Sequence, residues 1–132
     1  SGPDGQRSLV VDDELDLRDL LAAVLTLNGH TVDAVGTAAE AMELLQEHTY
    51  DGAVIDVQLP GDVNGPQFYD YVCATQPDLA KRALFITADT MNYETRRFLD
   101  SVHCPSMEKP FLVFDFAKRV DSLLETADKA GR

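Results

Sequence analysis

The amino-acid sequence predicts an α/β domain: a doubly wound, five-stranded parallel sheet with helices on both faces. Two observations carry this. Short apolar runs alternate with segments whose apolar residues recur every three or four positions, the pattern of buried strands joined by crossover helices. Several runs also stop abruptly on a polar residue: Asp12-Asp13 after the first, Asp56 after the third, Thr87 after the fourth. Right-handed crossovers restrict such a chain to a sandwich, and these folds place their chemistry at the carboxyl ends of the strands.

Leu9-Val10-Val11 is the first buried run. Leu17, Leu20, Leu21, Val24 and Leu25 then mark a helix, which Gly29 ends. His30 to Val35 alternates weakly and reads as an edge or near-edge strand. Thr37 followed by Glu40 is a capping-box signature, and Ala38, Ala41, Met42 and Leu45 give the next helix its apolar side. Asp51-Gly52 turns into the strand Ala53-Val54-Ile55. The loop from Leu59 to Gly65 opens a helix at Pro66, with Phe68, Tyr69, Val72 and Cys73 as its stripe and Pro77-Asp78 as its break. Ala83-Leu84-Phe85-Ile86 is the fourth strand. Residues 92–101 read as a helix with a mostly polar side of Tyr93, Arg97 and Asp100. Cys104 to Glu108 fits a fifth strand, which Pro105 makes short or confines to an edge. Val113, Phe116, Val120, Leu123 and Leu124 mark the last helix.

The 132 residues, 45% apolar and 26% charged, suit one globular domain. A formal net charge of -12 argues against a nucleic-acid backbone or an anionic membrane surface as the main partner, and no apolar run is long enough to span a bilayer. Cys73 and Cys104 lack CxxC spacing or nearby ligands and read as reduced small hydrophobes. Residues 1–6 read as a disordered, turn-rich extension or a cloning scar without a signal-peptide pattern, and 128–132 as a tail or the start of a linker. The default compartment is the cytoplasm. His30, His48 and His103 sit at no ligand spacing and are assigned no metal or acid–base role.

Asp12, Asp13 and Asp56 are expected to converge at one rim of the sheet. Crowded carboxylates raise a proton affinity or recruit a cation, and an oxygen-rich site suits Mg²⁺, which accepts phosphate oxygens among its ligands. Asp56 ends the central strand and is the best nucleophile, able to form an acyl phosphate. Asp13 is expected to ligate the metal directly, Asp12 through water, and Gln58 by its backbone carbonyl. Lys109 supplies a second positive charge, and the Thr87 hydroxyl can donate to a phosphoryl oxygen.

The ordered set Val11-Asp12-Asp13, Asp56 with Pro60 four residues on, Thr87-Ala88 and Lys109-Pro110-Phe111 resembles the receiver domain of two-component response regulators, over about residues 7–127. The resemblance implies strand order 2-1-3-4-5. It implies that Asp56 takes a phosphoryl group from a phosphohistidine of a sensor histidine kinase or a histidine phosphotransfer domain, with Mg²⁺, and that the product hydrolyses slowly. Such a domain catalyses its own phosphorylation, the histidine partner serving chiefly as donor. It also implies a partner surface made by the fourth long helix, the fifth strand and the last helix, where Tyr93 would lie, and a cis bond at Lys109–Pro110. Gln58 and Asp89 are the family's positions for tuning hydrolysis.

The sequence departs from the family twice. The usual aromatic residue three positions before the lysine is Ser106, so the aromatic half of the family's switch is missing while Thr87 is present. The loop from Pro60 to Gly65 is one residue longer than the frequent form. Thr87 to Thr90 and Arg96 to Lys109 look like receivers attached to hybrid sensor kinases, consistent with a role in a phosphorelay. Two other functions stay open at this stage: a phosphomonoester hydrolase with an aspartyl nucleophile, and a non-phosphorylated interaction module. No direct nucleic-acid contact or membrane insertion is expected, and the chain is read as a monomer or weak dimer.

Overall fold

The structure, a computed structural model, describes residues 6–130. The expected extension over 1–6 lies, apart from Gln6, outside the described residues, as do residues 131 and 132 of the expected tail. The elements run β1 (Arg7–Val11), α1 (Leu15–Leu27), β2 (Thr31–Val35), α2 (Ala38–Glu47), β3 (Gly52–Asp56), α3 (Gly65–Thr75), α4 (Pro77–Ala80), β4 (Ala83–Thr87), α5 (Tyr93–Ser101), β5 (Ser106–Glu108) and α6 (Val113–Ala130). The strands form one parallel sheet of order β2-β1-β3-β4-β5. No helix among the described residues is long and apolar enough to cross a membrane.

Side chains alternate across each strand, so the sheet builds two cores. Leu9 and Val11 of β1, Ala53 and Ile55 of β3 and Phe85 of β4 face α2 and α3, meeting Ala41, Leu45, Phe68 and Val72. Val10, Val54, Leu84 and Ile86 face the other way, onto Leu21 and Leu25 of α1 and Phe116, Val120 and Leu124 of α6. β3 and β4 are buried along their whole length, as interior strands of a two-sided parallel sheet must be. β2 is half-buried at one edge, as its weak alternation foretold.

The caps explain where the helices start. Thr37 accepts the Glu40 N–H at 3.2 Å, while its hydroxyl donates to the Glu40 carboxylate, so the expected box is closed side chain to side chain. A reciprocal box that the sequence reading missed opens α3: Asn64 accepts from Gln67 N–H, and Gln67 accepts from Asn64 N–H. The chain leaves α1 through Asn28 and Gly29, the latter at φ +91°, a conformation open to glycine.

Five expectations need correction. Leu20 is 46% exposed, because the buried stripe of α1 is narrower than its leucines suggest. Cys73 is exposed at the margin of α3. Pro77 does not simply break α3 but begins the single turn α4, where its missing N–H costs nothing. Cys104 and Pro105 precede β5, whose pairing starts at Ser106 opposite Phe85. At the C-terminus α6 continues to Ala130, into the stretch read as a tail.

Candidate functional site

Three strand ends at the carboxyl rim repeat one local device. Asp12 follows β1, and its Oδ1 accepts the N–H of Glu14 at 2.8 Å. Asp56 ends β3, and its Oδ1 accepts the N–H of Gln58 at 2.9 Å. Thr87 ends β4, and its Oγ1 accepts the N–H of Asp89 at 3.1 Å. Each short polar side chain thereby turns the chain out of its strand two residues on. The same bonds fix one oxygen of each aspartate and leave the other facing the rim.

The free oxygens converge on one cation. Lys109 Nζ lies 3.0 Å from Asp12 Oδ2, from Asp56 Oδ2 and from Glu14 Oε1. β4 holds the lysine in place, since Lys109 N–H donates to Thr87 C=O at 2.8 Å. Asp12 and Asp56 are buried, the lysine side chain is 12% exposed, and Asp13 is exposed beside them. Burial pushes the Asp12 carboxyl above its ordinary range, and the nearby Asp56 charge adds to this, against the Glu14 N–H and Lys109. Burial alone would lower the Lys109 ammonium, but its contacts with Glu14, Asp56 and Asp12 outweigh that and raise it. The Lys109–Pro110 bond is cis.

This rim is the one read from the sequence: Asp12, Asp13, Asp56, Thr87 and Lys109 lie at the ends of β1, β3, β4 and β5. A family model for the response regulator receiver domain matches residues 8–121, nearly the whole of the described fold. The chain belongs to the response regulator receiver domain family. Response regulator MprA of Mycobacterium ulcerans is 31% identical over 118 residues, which cover 89% of this chain and 50% of that protein. Sensor histidine kinase AtsR of Burkholderia thailandensis is 36% identical over 80 residues, 60% of this chain and 13% of that protein. A CheY-like receiver domain protein from Methanospirillum hungatei superposes with a TM-score of 0.85 at 22% identity, over 95% of this chain and 98% of that one. The receiver domain thus spans half or less of the curated relatives named, which continue into other segments.

The donor set of this receiver domain fits a hard divalent cation. Asp12, Asp13 and Asp56 each offer a carboxylate oxygen, all within 4.8 Å of one another. Asp12 Oδ2 is buried and has no hydrogen-bond partner, its contact with Lys109 being an ion pair without hydrogen-bond geometry. A buried oxygen in that condition is costly unless something positive sits against it.

Two features of the site were not read from the sequence. Glu14 stands at the N-cap of α1 but does not cap it, and its carboxylate reaches Lys109 instead. Gln58 was expected to act through its backbone carbonyl; its side chain is the busier part. Its Oε1 accepts from the Thr87 hydroxyl at 2.8 Å and from Ala88 N–H at 3.2 Å, and its Nε2 donates to Thr95 Oγ1 at 3.0 Å. Spacing gives no signal for such a contact, because Thr95 lies 37 residues away on another element. Ser106 is exposed on β5, and Tyr93 is 73% exposed on α5. Both cysteines are free thiols, and no histidine joins the acidic group that could hold a metal among the described residues.

Proposed function

We propose that this receiver domain, with residues 7–127 as its working unit, accepts a phosphoryl group on Asp56. The donor is a phosphohistidine on a sensor histidine kinase or a histidine phosphotransfer domain, and Mg²⁺ is the cofactor. The observation that carries the reading is the setting of the Asp56 carboxylate. One oxygen is held by the Gln58 N–H and the other lies 3.0 Å from Lys109, beside two further carboxylates. That is a positioned nucleophile whose charge is already partly offset.

In the transfer, an Asp56 oxygen forms the new bond to phosphorus while the bond from phosphorus to the imidazole nitrogen breaks. The electron pair stays on that nitrogen, which takes up a proton. Asp12, Asp13 and Asp56, with the Gln58 carbonyl, are the residues to hold the metal. When bound, Mg²⁺ supplies positive charge to the transferring oxygens. Lys109, 3.0 Å from Asp56, would add a second positive charge, and the Thr87 hydroxyl, at the end of the neighbouring strand, would donate to a phosphoryl oxygen.

A phosphomonoester hydrolase needs an acid to protonate its leaving group. The residue two after the nucleophile is Gln58, an amide already bonded to Thr87 and Thr95. The reading therefore places catalysis on the domain's own phosphorylation and slow dephosphorylation. It also assigns the domain to the cytoplasm, as a monomer or weak dimer, with the α5–β5–α6 face and its exposed Tyr93 open to a protein partner.

The test supplies a phosphorylated histidine domain and Mg²⁺ and follows label onto the chain. The expected result is one labelled phosphoryl group per chain, with slow release of phosphate. Repeated turnover of a phosphomonoester, with no stable label, would overturn the reading in favour of the hydrolase.

A further inference from the structure

We propose that the Gln58 side chain is a positioning latch between the phosphoacceptor site and α5, and that phosphorylation opens it by taking away the Thr87 hydroxyl. The inference rests on the phosphoacceptor reading above and adds a route out of the site.

The hydrogen-bond directions leave one solution. Ala88 N–H can only donate, so the Gln58 atom facing it is the carbonyl oxygen, and Nε2 must face Thr95. Thr87 Oγ1 accepts from Asp89 N–H, another obligate donor, so its single hydrogen goes to Gln58 Oε1. A threonine hydroxyl has one hydrogen to give. If Thr87 donates to a phosphoryl oxygen on Asp56, it must let go of Gln58. Both ends of the exchange are close, because Asp56 pairs with Ile86, the residue before Thr87.

α5 is held to the body at two places along its length. Toward its C-terminal half, Phe98 packs edge-on against Phe85 and Tyr69, with ring centroids 5.0 and 6.1 Å apart. In its first turn, Thr95 is buried and receives Gln58 Nε2. The remainder of α5 is largely exposed. Once Thr87 leaves, Gln58 keeps the longer 3.2 Å bond from Ala88 on its oxygen. The side chain is itself exposed, so the rotamer freedom it regains opposes holding Thr95. The first turn of α5 then loosens while its aromatic anchor stays, which tilts the exposed face carrying Tyr93.

The test compares wild type, Thr95→Val and Thr95→Ser by hydrogen exchange of the 93–101 amides, with and without acetyl phosphate and Mg²⁺. In wild type, phosphorylation is expected to speed exchange in the first turn of α5 about fivefold, the effect of one hydrogen bond. Thr95→Val is expected to show that faster exchange already without phosphodonor and to gain nothing more on phosphorylation. Thr95→Ser, which keeps the oxygen, is expected to behave as wild type. A purely structural role for Thr95 would leave the phosphorylation response of the valine variant intact, and that result overturns the latch. So does equal exchange of all three proteins before phosphodonor is added. If intact mass never changes, the phosphoacceptor reading fails, while the comparison without donor still decides whether Gln58 restrains α5.

Discussion

The Lys109 ammonium lies 3.0 Å from the Glu14 carboxylate, at the open lip of a pocket whose inner wall is Asp12 and Asp56. The three pairings have equal length and unequal worth. Glu14 is 62% exposed, so Glu14→Gln is expected to change stability by no more than about 1 kcal/mol. Lys109→Met leaves two buried carboxylates without their cation and is expected to cost about 3 kcal/mol. Urea unfolding of the two variants checks this, and an equal cost for both would show that burial does not rank the pairs.

Acid crowding at the rim predicts linkage to a divalent cation. Mg²⁺ binding to the folded chain alone raises unfolding free energy by about 2.7 kcal/mol at a hundred times its Kd. Asp13 is exposed, so Asp13→Asn is expected to fold normally and to lose most of that gain. Thermal melts across a Mg²⁺ series measure it. An unchanged Mg²⁺ response in Asp13→Asn would remove that residue from the metal site.

Gly65 stands where α3 begins, directly under the loop that leaves Asp56. A Cβ there would come within 2.6 Å of the Asp56 and Val57 carbonyl oxygens, which are backbone and cannot swing aside. Gly65→Ala is expected to cost about 1–3 kcal/mol by overpacking and to slow phosphorylation, because the relief must displace the chain at Asp56. Denaturation and phosphorylation rates on the same sample test both halves.

His30 is buried just before β2, with Nδ1 2.8 Å from the Ser8 hydroxyl. Burial holds its pKa below the ordinary 6.5, against the pull of Asp121 and Asp51. Below about pH 6.5 the unfolded chain takes a proton that the folded chain resists. Stability is therefore expected to be flat above that pH, as far as His30 is concerned, and to fall as pH drops through the folded value. His30→Asn, which retains a polar atom near Ser8, is expected to flatten the fall. An identical pH profile in the variant would assign the acid sensitivity elsewhere.

The sheet and its rim were legible because burial writes itself into sequence. β3 and β4 are covered on both faces, and the runs ending at Asp56 and Thr87 are uninterrupted for that reason. Pairing of i with i+2 is local as well, so Asp12, Asp56 and Thr87 could be read as strand ends. What escaped depends on contacts between distant segments. The Gln58 amide meets Thr95 across 37 residues, and Glu14 meets Lys109 across 95. The exposure of Leu20 and Cys73 escaped too, since apolar character says that a side chain can be buried, and only the packed neighbours decide that it is.

The proposed function depends above all on Asp56 carrying the phosphoryl group. Intact-mass measurement after incubation with acetyl phosphate and Mg²⁺ tests it most directly, on wild type and Asp56→Asn together. The expected result is a gain of one phosphoryl group on wild type and none on the asparagine variant. An unchanged wild-type mass, or an equal gain on both proteins, would contradict it.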